Sequence, residues 1–83
     1  MAQVRIEFTV EPFVEGHPGP HVLAAIAAVE ARGLVVDVGP FSSVAEAAPE
    51  AAGAAVAELL HAALAQGATR VSLQVEQVAE ADG

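Results

Sequence analysis

The chain has 83 residues, no cysteine and a formal charge of −8, carried by 11 carboxylates against three arginines. That length allows one small domain, near the size at which a single core is barely sufficient. The missing cysteines exclude a disulfide framework and thiolate chemistry, and the acidity excludes nucleic-acid binding, because phosphate backbones need clustered cations. Solubility accounts for most of the acidity, and the same field weakly attracts cationic small molecules. No charged-then-apolar leader and no apolar run of about eighteen residues is visible, so a cytoplasmic address without a membrane span is expected. Alanine supplies much of the apolar content and buries little area. Self-association is therefore expected to add stability and to shield sheet edges.

Apolar and polar residues alternate strictly from Val4 to Glu11, the pattern of a strand with one buried and one wet face. Val4, Ile6, Phe8 and Val10 form the inner row, and Arg5, Glu7, Thr9 and Glu11 the outer one. Pro12 ends the strand because it has no N–H for a ladder. A glycine- and proline-containing loop, Phe13–Gly19, follows. Pro20 suits the first turn of a helix over His21–Arg32, whose Val22, Ala25, Ile26 and Val29 share a stripe. Arg32 complements the C-terminus of that helix, and Gly33 ends it in the left-handed conformation.

Leu34–Val38 is a β-branched run closed by Gly39-Pro40 and reads as a second strand. Ser42–Glu46 reads as a third. A second helix is expected from about Pro49 to Gln66, with Val56, Leu59, Leu60, Ala63 and Leu64 on one face and Gly67 as its stop. Its start lacks a Ser, Thr, Asp or Asn cap, and Gly53 costs roughly 1 kcal/mol against alanine, so its first turn is expected to fray. Thr69–Val78 reads as a fourth strand, with Val71, Leu73 and Val75 inward and Ser72, Gln74 and Glu76 outward. Residues 79–83 read as a loose tail beyond a single domain of residues 1–78.

Strand–helix–strand, twice, predicts an α+β fold of the ferredoxin-like βαββαβ type. Its four-stranded antiparallel sheet would have the order 4-1-3-2, with both helices on one face. That topology gathers Glu11, Phe13, His17, His21, Phe41 and Thr69-Arg70 at one end of the sheet. Two aromatic rings beside hydroxyls and a carboxylate suit a small flat ligand, although the composition there favours Phe13 and Phe41 simply closing the end of the core.

His17 and His21 have the spacing of paired metal ligands, but Pro18, Gly19 and Pro20 between them break any common helix, so no metal site is expected. His61 reads as a surface residue that could meet Glu58. Glu7, Glu11 and Glu76 could converge on the open face, yet no nucleophile with a partner and no phosphate loop accompanies them. Such carboxylates are usually solvated or paired with an arginine such as Arg5. No enzymatic activity and no cofactor are expected.

The run Glu7-Phe8-Thr9-Val10-Glu11-Pro12, followed by a glycine-containing loop and a helix, resembles the opening of the small thiamine-binding (YkoF-like) protein family. The likeness continues through Gly33, through Pro40-Phe41-Ser42-Ser43 with Glu46, and through Gly67-Ala68-Thr69-Arg70-Val71. Where the family's third strand carries glycine beside its hydroxyl and its carboxylate, this chain has Ser42-Ser43 and Glu46-Ala47. The resemblance implies a ferredoxin-like domain that assembles into dimers or tetramers. It also implies binding of thiamine or a related pyrimidine, without chemistry. The ligand-binding residues expected on that basis are Glu7, Glu11, Phe13, Phe41, Ser43 and Glu46. Carboxylates would favour the cationic thiazolium, Ser43, Glu7 or Glu46 would match the aminopyrimidine, and Phe13 or Phe41 would supply an apolar wall. The alternative is a structural or regulatory interaction domain that oligomerises through its sheet.

Overall fold

A computed structural model describes residues 3–12, 18–40 and 42–78. The expected tail over residues 79–83 and the side chains of Phe13, His17 and Phe41 lie outside those residues. The element order is β1 (Gln3–Glu11), α1 (Pro20–Glu30), β2 (Val36–Val38), β3 (Ser43–Ala47), α2 (Pro49–Ala65) and β4 (Arg70–Val78). All strand pairs are antiparallel and the sheet order is β2-β3-β1-β4. This is the expected βαββαβ arrangement read from its other edge.

β1 organises the sheet because it is the one long strand with a fully apolar inner row. Val4, Ile6, Phe8 and Val10 are all buried, and their outer neighbours are half-exposed. On one side β1 pairs with β3 from Val4↔Ala47 to Phe8↔Ser43. On the other it pairs with β4 without a skipped residue, from Gln3↔Val78 to Glu11↔Arg70. The helices cover the inner row, α1 through Val22, Ala25 and Val29, and α2 through Ala52, Ala55, Leu59 and Ala63. Alanine dominates these contacts, so the helices sit close to the sheet and the core is thin.

Both helices open as the sequence implies, with proline in the first turn and no side-chain cap. Gly33 and Gly67 adopt φ of 83° and 100°, the left-handed region in which a β-carbon is strained. Arg32 departs from its expected part. Its guanidinium pairs with Glu58 of α2, tying the two helices together instead of capping α1. Glu58 is thereby engaged, and His61 is an exposed surface residue.

Three expectations need correction. β2 begins at Val36 and not at Leu34: the chain is still climbing from Gly33 to the sheet, with Leu34 against the core and Val35 84% exposed. β3 runs Ser43–Ala47 and not Ser42–Glu46, and Ser43 opens its inward row with Ala45 and Ala47. On α2, Leu60 and Leu64 do not join the buried stripe. They are 37% and 57% exposed, because the inward positions Ala52, Ala55, Leu59 and Ala63 leave them on the flank that looks toward β4. Val75, inward by parity, is 48% exposed for the same reason: α2 stops short of covering the outer edge of β4.

Candidate functional site

The face of the sheet opposite the helices carries the polar rows of all four strands. Strand registers convert these into rows running across the sheet. Asp37, Val44, Glu7 and Gln74 form one, Glu46, Arg5 and Glu76 a second, and Glu11 with Arg70 a third. Thr9 lies beside Ser72.

Arg5 is the cation at the centre. Its Nη1 lies 3.3 Å from Glu76 Oε1 and 3.5 Å from Glu7 Oε1, and Glu46 is its register partner on β3. One guanidinium therefore serves a patch of three carboxylates, which leaves the patch negative. The second oxygen of Glu7, Oε2, accepts a hydrogen bond from Ser42 Oγ at 2.9 Å. Glu7 is thus fixed from two sides while still about one-third exposed. Beside it a hollow of about 170 Å³ is lined by Glu7, Thr9, Ser72, Leu73 and Gln74. Hydroxyl, amide and carboxylate groups meet there over a strand floor, so the hollow offers both donors and acceptors. A second hollow, of about 400 Å³, runs along the β2 edge and includes Asp37, Val44 and Glu46.

Of the residues expected to form a site, Glu7 and Glu46 lie on this open face in neighbouring rows, Glu46 in the row of Arg5 and Glu7 in the next. Glu11 lies at the end of the sheet, 3.7 Å from Arg70 Nε, where its carbonyl also accepts from Thr69 N at 2.8 Å and Thr69 Oγ1 at 3.2 Å. The histidine expected at that end, His21, is held there by a ring nitrogen that donates to the Pro12 carbonyl. Phe13 and Phe41 fall outside the described residues. Ser43 is placed elsewhere. It is only 6% exposed and lies in the inward row with Ala45 and Ala47, opposite Phe8. Ser42 supplies the hydroxyl on the Glu7 side. Strand parity carried the signal: a charged Glu46 must face water, and Ser42, four residues earlier, shares its face. Among the described residues no cluster of three or more His, Asp or Glu side chains has metal-site geometry.

No protein-family model and no curated protein matches the chain. Solved structures do. A Thermotoga maritima protein with a proposed role in thiamine biosynthesis or salvage shares 30% identity, over 98% of this chain and 87% of its own, with a TM-score of 0.66. The chain belongs to the same small ferredoxin-like family. Two further structures share the fold at lower identity. A domain of unknown function from Bacillus cereus is 23% identical over 94% of this chain and 76% of its own, with a TM-score of 0.67. A hypothetical protein from Methanocaldococcus jannascii is 21% identical over 100% of this chain and 86% of its own, with a TM-score of 0.70. Within the family the open face is thus a surface on a shared scaffold, and its chemistry in this chain is set by its own side chains. Among the described residues no helix is long and apolar enough to cross a membrane.

Proposed function

We propose that this chain binds thiamine or a related pyrimidine-containing cation on its open sheet face and performs no chemistry on it. The observation that carries the reading is Glu7, fixed by Ser42 and Arg5 at the rim of a hollow lined by Thr9, Ser72 and Gln74. A carboxylate held in place beside neutral hydrogen-bonding groups suits an aminopyrimidine, whose ring presents donors and acceptors along one edge. The surplus of carboxylates around Arg5 favours a ligand with positive charge. Family membership alongside a protein with a proposed thiamine role supports the same class of ligand.

The charge pattern makes a prediction within that class. The two open-face arginines, Arg5 and Arg70, are each already paired with a carboxylate. Phosphate groups therefore meet a negative surface with its cations engaged, and unphosphorylated thiamine should bind more tightly than thiamine diphosphate. Isothermal titration with thiamine, its mono- and diphosphate and hydroxymethylpyrimidine tests this. Saturable binding of thiamine with weaker binding of the diphosphate is expected. Absence of binding by any of the four in the low millimolar range would overturn the proposal.

A further inference from the structure

Asp37 on β2 and Glu46 on β3 are exposed, and neither has an ion-pair partner among the described residues. The three arginines are engaged elsewhere, Arg5 with Glu7 and Glu76, Arg32 with Glu58, and Arg70 with Glu11. Both carboxylates line the hollow of about 400 Å³ along the β2 edge, to which Leu34, Val35 and Val44 add apolar walls. Val35 is 84% exposed and shares the face of Asp37, whereas Val38, 57% exposed, lies on the inner face. The backbone of this edge is open as well. Antiparallel ladders alternate between pairs that exchange hydrogen bonds and pairs that do not. Gly39 N donates to Ser42 O at 2.8 Å, so the pair two residues on, Asp37 and Val44, is also a bonded one. Val36 and Val38 therefore direct their N–H and C=O groups away from β3, along the rim of the sheet.

We propose that β2 accepts an added antiparallel strand from another protein, an extended segment that alternates basic and β-branched residues. Its main chain bonds to Val36 and Val38. The residue opposite Asp37 falls in a pair without hydrogen bonds, where side chains come closest, so a cation there meets the carboxylate directly. The next open-face residue of the added strand stands opposite Val35. An arginine in that place lays its stem on the exposed valine and extends into the hollow toward Glu46. The residues opposite Val36 and Val38 point to the inner face, and β-branched side chains there continue its apolar row.

Charge chooses this occupant over others. With only three residues, β2 is too short to hold a neutral strand by main-chain bonds alone. Asp37 and Glu46 supply the missing attraction for a basic strand and repel an acidic one. A second copy of this chain fits poorly, because it brings another Asp37 to the edge while its own arginines are already paired. The opposite edge, β4, turns Arg70, Ser72, Gln74 and Glu76 to the open face, a mixed row that favours neither sign.

The edge is tested on the full chain without thiamine, so the outcome is independent of small-molecule binding. The probe is an end-capped peptide of about eight residues that alternates valine and arginine. Its control has the same composition with the arginines grouped at one end. Titrated into isotope-labelled protein and followed by NMR, the alternating peptide should saturate, shift the amide signals of Val36 and Val38 and slow their hydrogen exchange. It should bind at least about fivefold more tightly than the grouped peptide, which cannot match main chain and charge together. Asp37→Lys should weaken binding about tenfold, by removing an attraction and adding a repulsion. Glu50→Lys makes the same charge change at the exposed start of α2 and should cost less than about twofold. Circular dichroism confirms that each variant is folded. No saturation by roughly 1 mM peptide, equal binding of the two peptides, equal losses in the two variants, or signal shifts along β4 instead of β2 would each overturn the proposal.

Discussion

The two faces of β1 are made by the same nine residues and are held by opposite physics. On the inner face Ile6, Phe8 and Val10 are buried almost completely beneath helices that present mainly alanine. Nothing there is directional, and position is fixed by exclusion of water and close packing. On the outer face Arg5, Glu7 and Glu11 stay partly exposed, and position is fixed by distance-dependent pairing with Glu76, Ser42 and Arg70. The inner face therefore accounts for the stability of the fold, and the outer face carries the proposed recognition. Changes on the two faces should separate stability from binding.

The largest effect is expected at Phe8. It is among the largest fully buried side chains and sits between β3 and β4, opposite Ser43 and Leu73. The alanines around it on the helices have no bulk with which to collapse into the space it leaves. Phe8→Ala should cost about 3–5 kcal/mol, a large part of the total of about 5–15 kcal/mol typical of a folded domain. Urea unfolding followed by circular dichroism, at one fixed protein concentration so that any association enters each measurement equally, reads this directly. A loss below about 1 kcal/mol would mean that the core is looser than the buried row implies.

Much of this division was legible in the sequence. Strict alternation over Val4–Glu11 gave the two faces of β1, and the strand–helix–strand order twice over gave the topology. What was not legible has a common cause in the thinness of the core. On α2 the bulkier Leu60 and Leu64 looked like core residues, yet Ala52, Ala55 and Ala63 take the inward positions. Size does not mark burial when small residues are needed for close approach. In β3 the run Ser42-Ser43-Val44-Ala45 has no apolar alternation to fix its parity, so the serine facing Glu7 was misplaced by one. Glu46 alone held that information. The Ser42 hydrogen bond to Glu7 joins residues 35 positions apart, and no local pattern announces it.

Arg5 tests the outer face at an intermediate level. Replacing it with alanine removes the only cation among the described residues that lies near Glu7 and Glu76 and opposite Glu46. Each pair is more than one-third exposed, so screening by solvent keeps the individual contributions small. Arg5→Ala should cost about 0.5–1 kcal/mol, mostly through carboxylate repulsion, and the loss should shrink as salt is added. Urea midpoints at low and high ionic strength measure both the size and the salt dependence. A loss that does not change with salt would show that the aliphatic stem of Arg5 matters more than its charge.

Glu7→Gln should be nearly silent in stability and informative in binding. The amide keeps the shape of the side chain and an acceptor for Ser42 Oγ, so the urea midpoint should move by no more than about 0.5 kcal/mol. The negative charge is gone. If Glu7 acts on the ligand through charge, thiamine should lose on the order of tenfold in affinity, while the neutral hydroxymethylpyrimidine loses little. If it acts by accepting a directed hydrogen bond from the pyrimidine, the two should weaken together, because an amide oxygen is the poorer acceptor. Titrating both compounds into the variant separates the two roles. Unchanged affinity for both would assign Glu7 to the network around Arg5 alone and remove the carboxylate from the proposed site.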